Sequence, residues 1–112
     1  ICTLSYYKNA INYLEDKVSD AKFFLFTDDL QWAKINLNER NVVFVDINNE
    51  RKNYKKNMYL MSRCKHQIIA NSTFSWWAAY LNINKSKIVI APSKWINTLP
   101  KDDIVPQSWI RL

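Results

Sequence analysis

Apolar positions along the chain follow two spacings in turn. Leu4, Tyr7, Ile11, Leu14 and Val18 recur every three or four residues, which predicts an amphipathic helix over residues 3–18. Residues 22–27 (K-F-F-L-F-T) are a short, continuously apolar run, the pattern of a buried strand. Asp28 then opens a helix predicted over 29–38, with Gln31 placed to close a capping box. Residues 42–45 read as a second buried strand and the polar stretch 47–52 as a loop. Met58, Leu60, Met61 and Cys64 mark a helix over 55–65, and 67–70 a third strand. A helix over 73–81 and a strand over 87–91 (K-I-V-I-A) follow, then an irregular tail with Pro92, Pro100 and Pro106.

The resulting order, α-β-α-β-α-β-α-β, is that of an α/β protein. Short apolar strands alternating with helices imply a parallel sheet covered on both faces. With right-handed crossovers the expected fold is a Rossmann-like parallel sheet of about four strands with flanking helices. The 112 residues have room for one domain, and four strands are few for a free-standing doubly wound sheet. Together with a start at Ile1 instead of Met, this reads as a single partial domain, 1–112, of a longer chain.

Composition changes the picture at three points. The chain has no glycine, so the left-handed positions at helix ends are expected to fall to asparagine, Asn38 and Asn82 in particular. The net charge of +6 favours anionic partners, among which nucleotide phosphates and nucleic acid both qualify. The lysines are scattered, the cluster Arg51, Lys52, Lys55 and Lys56 is short, and the aromatics follow core periodicity; no nucleic-acid partner is expected. Cys2 and Cys64 lack metal or disulfide spacing, and no apolar run approaches the roughly 20 residues that span a bilayer.

Ligands of open parallel sheets bind beyond the carboxyl ends of the strands. Thr27-Asp28-Asp29, Asp46-Ile47-Asn48 and Asn71-Ser72-Thr73 fall there, and Pro92-Ser93-Lys94-Trp95 joins them. Asn71-Ser72-Thr73 carries three small hydrogen-bonding side chains into a helix N-terminus, whose N–H groups and partial positive charge suit phosphate. Ser72 or Thr73 could add a hydroxyl donor; the alternative for Ser72 is a plain helix cap. Asp28 has three readings: the cap of its helix, half of a cation-binding pair with Asp29, or a partner for nucleotide or sugar hydroxyls. His66, the only histidine, reads as a partner for a helix C-terminus in preference to a general base. Trp76 and Trp77 point about 100° apart on a helix, so one belongs to the core while the other faces a neighbour or stacks a base. The residues alone thus describe a nucleotide- or phosphate-binding half-domain of unassigned chemistry.

The stretches M-Y-L-M-S-R-C-K-H (58–66) and I-I-A-N-S-T-F-S-W-W (68–77) resemble the signature of bacterial α-1,2-fucosyltransferases, glycosyltransferase family 11. F-L-F-T-D-D-L-Q-W (24–32) and I-V-I-A-P-S-K-W (88–95) flank them in the expected order. The resemblance implies the C-terminal, nucleotide-sugar-binding half of a GT-B-like enzyme. It would transfer L-fucose from GDP-fucose to a galactoside hydroxyl in an α-1,2 linkage, inverting and independent of metal, with no cofactor beyond the donor. On that analogy Ser72 and Thr73, with Asn71, lie near the diphosphate and Asp28 near the nucleotide sugar. Position 57, often acidic in relatives and linked to guanine, is Asn57, whose amide offers one acceptor oxygen where a carboxylate offers two. Ala78 replaces a common glycine. The family's H-x-R-R-x-D type motif has no match in these residues, and no catalytic residue is assigned. The implied partners are donor, glycan acceptor and an N-terminal domain of the same chain. The implied location is the cytoplasm or the inner face of the membrane. The competing reading is a nucleotide-binding module without catalysis.

Overall fold

Helices and parallel strands alternate as the two apolar spacings predict. The computed structural model describes residues 2–47, 54–93 and 105–112. Its elements are α1 (Leu4–Lys17), β1 (Phe23–Thr27), α2 (Leu30–Asn36), β2 (Val42–Asp46), α3 (Tyr54–Ser62), β3 (Gln67–Ile68), α4 (Thr73–Tyr80), β4 (Val89–Ala91) and β5 (Ile110–Arg111). The α/β class and the parallel pairing hold. The expected single sheet of about four strands does not: the described residues form one sheet ordered β1-β2 and a second ordered β3-β4-β5. All pairs are parallel.

The fifth strand lies in what reads from sequence as an irregular tail. It is only two residues long, too short to show a period, and the Leu112 amide donates to the Ala91 carbonyl at its end (3.0 Å). Alternation along the three-stranded sheet sorts its side chains onto two faces. Ile69, Val89 and Ala91 pack with Ala79 of α4, Val105 and Trp109 on one side. Ile68, Ile90 and Ile110 lie on the other, under Tyr6, Ala10 and Leu14 of α1.

The buried stripe of α1 is Tyr6, Ala10, Ile11 and Leu14, displaced from the predicted one, in which Leu4, Tyr7 and Val18 are only half-buried. Ala10 explains the shift: its small side chain lets the helix approach the sheet closely. Tyr6 is tolerated beneath the helix because its hydroxyl reaches the carbonyls of Ile69 (2.6 Å) and Ile90 (3.0 Å). Burial raises the Tyr6 pKa far above that of a free phenol, with Cys2 and Tyr7 adding to the rise, so it stays a donor.

Without glycine, the left-handed position falls to Asp20 (φ 54°), just after α1, and not to Asn38 or Asn82. Asn82 is instead buried, its amide donating to the Lys65 carbonyl (3.1 Å) and to Gln67 Oε1 (2.9 Å). Lys87 Nζ closes the end of α4 by donating to the carbonyls of Ala79 and Asn82, both at 3.0 Å. A cation on the last carbonyls replaces the usual glycine cap there.

Candidate functional site

The carboxyl edges of both sheets lie at the same end of the molecule. Cys2 Sγ, just ahead of α1, donates to Asn71 Oδ1 just beyond β3 (3.6 Å), which puts the start of α1 at the carboxyl end of β3. At the other end of α1, Val18 lines a cavity together with Phe23 and Gln67, the first residues of β1 and β3. Both strands therefore run opposite to α1. Asp28 follows β1 and Asn71-Ser72-Thr73 follows β3, so both stand on this edge. Asn57 is half-buried in the first half of α3, a helix that packs against α4.

The best-defined part is the turn into α4. Ser72 is its N-cap, its Oγ accepting from the Ser75 amide at 3.2 Å. Ser75 Oγ, buried behind the turn, donates to the Ala70 carbonyl (2.9 Å), which leaves the 2.8 Å contact between the two hydroxyls to the proton of Ser72. Ser72 is thus spent on the turn itself. Thr73 is exposed at the first helical position, at the positive end of the α4 dipole. That geometry suits an anion.

At β1 the cap is displaced by one residue. Asp29, not Asp28, caps α2, accepting from the Trp32 amide (3.1 Å), while Thr27 Oγ1 accepts from the Asp29 amide (3.0 Å). The capping box with Gln31 accordingly does not form, because Gln31 sits one position too early. Asp28 is exposed on the edge. Among the described residues no group of three or more His, Cys, Asp or Glu side chains gathers as metal ligands would.

His66 is not the helix-end cation that its position suggests. α3 stops at Ser62, and His66 Nδ1 accepts the Ile88 amide at 2.8 Å, joining the start of β3 to the approach of β4. Burial and the charge of Lys65 lower its pKa, favouring the neutral ring that this bond requires. Trp76 packs on the core and stacks on Tyr80 (centroids 5.0 Å apart), while Trp77 is exposed, the division expected of adjacent ring positions.

Sequence reasoning missed three residues of this edge. Cys2 and Ser75 carry no motif of their own; they bear on this edge through their hydrogen bonds to Asn71 and to Ser72 and the Ala70 carbonyl. Arg111, in the unrecognised β5, donates to the carbonyls of Pro92 and Ser93, both at 2.8 Å, and brings a cation to the carboxyl end of β4. The lone arginine in W-I-R-L was the signal available. Asn48, Arg51, Lys52, Lys94, Trp95 and Pro100 lie outside the described residues.

The Glycosyl transferase family 11 model matches residues 1–112. The chain belongs to that family. The family 11 chain is 39% identical over its whole length to the O-antigen biosynthesis glycosyltransferase WbnK of Escherichia coli, covering 37% of that protein. It is 38% identical, again over its whole length, to an alpha-1,2-colitosyltransferase of Escherichia coli, covering 40% of it. Over 78 residues, 68% of the chain, it is 30% identical to the galactoside 2-alpha-L-fucosyltransferase SEC1 of Bos taurus, covering 21% of that protein. The family 11 chain therefore spans well under half the length of these relatives. No solved structure matches it.

Proposed function

We propose that this chain is the donor-binding part of an α-1,2 glycosyltransferase, of GT-B type, that takes a GDP-linked 6-deoxy sugar and transfers it with inversion to a galactoside hydroxyl. The family membership and the names of its relatives support transfer. The observation that carries the donor assignment is the β3–α4 turn, where Ser75 and Ser72 lock the backbone and Thr73 is exposed at the positive end of the α4 dipole. Placed there, a diphosphate meets a partial positive charge without a metal ion. Asp28, on the same edge, suits ribose or sugar hydroxyls, and Asn57 suits the base through one acceptor and two donors. Leaving-group charge would then be stabilised by fixed dipoles and by cations from elsewhere in the full-length protein. We propose no protein base, and place the work in the cytoplasm or at the inner membrane face; among the described residues no helix is long and apolar enough to cross a membrane.

Fucose is the donor sugar first implied by the signature. Colitose is the second, favoured by 38% identity to a colitosyltransferase against 30% to a bovine fucosyltransferase. The test is calorimetric titration of GDP and UDP, with EDTA present, into the full-length protein and its Ser72→Ala/Thr73→Ala variant. GDP is expected to bind selectively, and the double substitution to weaken it by about 1–3 kcal/mol, the scale of lost polar contacts. Unchanged GDP affinity in the variant would remove the phosphate from this turn, and absence of binding without a divalent cation would return Asp28 and Asp29 to metal ligation.

A further inference from the structure

The two sheets leave a strand-shaped vacancy between them. In the β1-β2 ladder the Phe23 amide donates to Asn41 and the Thr27 carbonyl accepts from Ile47, so Phe23, Leu25 and Thr27 point their backbone groups at β2. The alternation of a parallel ladder turns the N–H and C=O of Phe24 and Phe26 to the opposite edge. In the same way the amides of Gln67 and Ile69 donate to Ile88 and Ile90, which turns the backbone of Ile68 away from β4. No described strand pairs with either of these edges. Both border one cavity of about 780 Å³, walled by Phe24 and Phe26, by Ile68, by Leu14 of α1 and by Leu60 and Met61 of α3.

Two buried-type strand edges facing one cavity are costly unless another strand satisfies them. The direction of that strand follows from α1. Its N-terminus stands beside Asn71 at the carboxyl edge and its C-terminus beside the starts of β1 and β3. Chain arriving at Thr3 through the vacancy would run parallel to both strands, with α1 as the crossover to β1. We propose that the residues immediately upstream of Ile1 in the full-length polypeptide supply this parallel strand, uniting the two sheets in the order β2-β1-X-β3-β4-β5, where X is the inserted strand. The relatives matched across this whole chain have the necessary additional length, since it covers only 37% and 40% of them. X is expected to be rich in apolar residues, because Leu14, Leu60 and Met61 line the cavity it would fill. The proposal concerns the sheet and does not depend on the donor chemistry.

The test is amide exchange and through-hydrogen-bond couplings, read residue by residue by NMR on the full-length protein. The amides of Phe24, Phe26 and Ile68 are expected to exchange within about tenfold of those of Phe23 and Leu25, as ladder amides of one cooperative sheet do. Their acceptors are expected to be carbonyls of residues upstream of Ile1. Exchange faster by about a hundredfold or more, in a protein whose Phe23 and Leu25 amides stay protected, would overturn the proposal. So would acceptors found downstream of residue 112, or couplings that appear only between differently labelled copies in a mixed sample, which would make the occupant a second chain.

Discussion

Two small polar side chains show how much of this molecule rests on single hydrogen bonds. Ser72 holds the turn into α4, and His66 ties the start of β3 to the approach of β4. The histidine makes stability depend on pH, and the sign follows from its acceptor role. Protonating Nδ1 destroys the bond to Ile88, and burial with Lys65 nearby keeps the folded pKa below the ordinary value of 6.5. Between the folded and unfolded pKa the unfolded chain holds more protons, so stability is fully present above about 6.5 and is lost as pH falls through and below it. His66→Asn retains an acceptor that does not titrate. Urea midpoints measured from about pH 8 to pH 5 should fall toward acid less steeply in His66→Asn than in the parent. Parallel curves would mean that the acid sensitivity resides elsewhere.

At the scale of elements, what the sequence made legible was periodicity. Seven apolar or amphipathic runs place α1, β1, α2, β2, α3, α4 and β4 within a few residues of where they stand, and β3 is found though shortened from four residues to two. β5 was not legible because two residues carry no period, and its pairing with β4 is a long-range event. The cap of α2 falls one residue beyond Asp28 because two adjacent carboxylates read alike as caps; in the fold Thr27 Oγ1 accepts from the Asp29 amide while Asp29 accepts from that of Trp32. The candidate site was legible at Asn71-Ser72-Thr73, where strand, turn and helix meet in sequence. It was illegible at Cys2 and Arg111, which reach the same edge from far along the chain. Tyr6 is the element-scale counterpart: its hydroxyl anchors α1 to two carbonyls of the sheet. Tyr6→Phe leaves the Ile69 carbonyl without that donor and should cost about 1–3 kcal/mol in urea unfolding. Because the ring still fills its place, the slope against urea should not change. A cost near zero would mean that the helix is held by apolar packing alone.

At the scale of the whole molecule, the question is whether the last eight residues belong to the core or merely lie on it. Trp109 is buried (6% exposed) against Ile69, Val89 and Ala91, with its ring 6.0 Å from that of Trp76. β5 follows at once, and Arg111 crosses back to the carbonyls of Pro92 and Ser93. One face of the β3-β4-β5 sheet is therefore closed by α4 from the middle of the chain and by its C-terminal end together. If that closure is cooperative, removing the Trp109 ring should weaken the sheet as a whole, since Val89 and Ile69 lose the largest buried side chain of their cluster. Trp109→Ala should lower unfolding free energy by about 3–5 kcal/mol, the range for large aromatic truncations in cores. It should also speed amide exchange across β3 and β4, not only within residues 105–112. Confinement of the faster exchange to those eight residues, with the global transition unmoved, would show the end of the chain to be an attachment, and the core would then be completed by α4 alone.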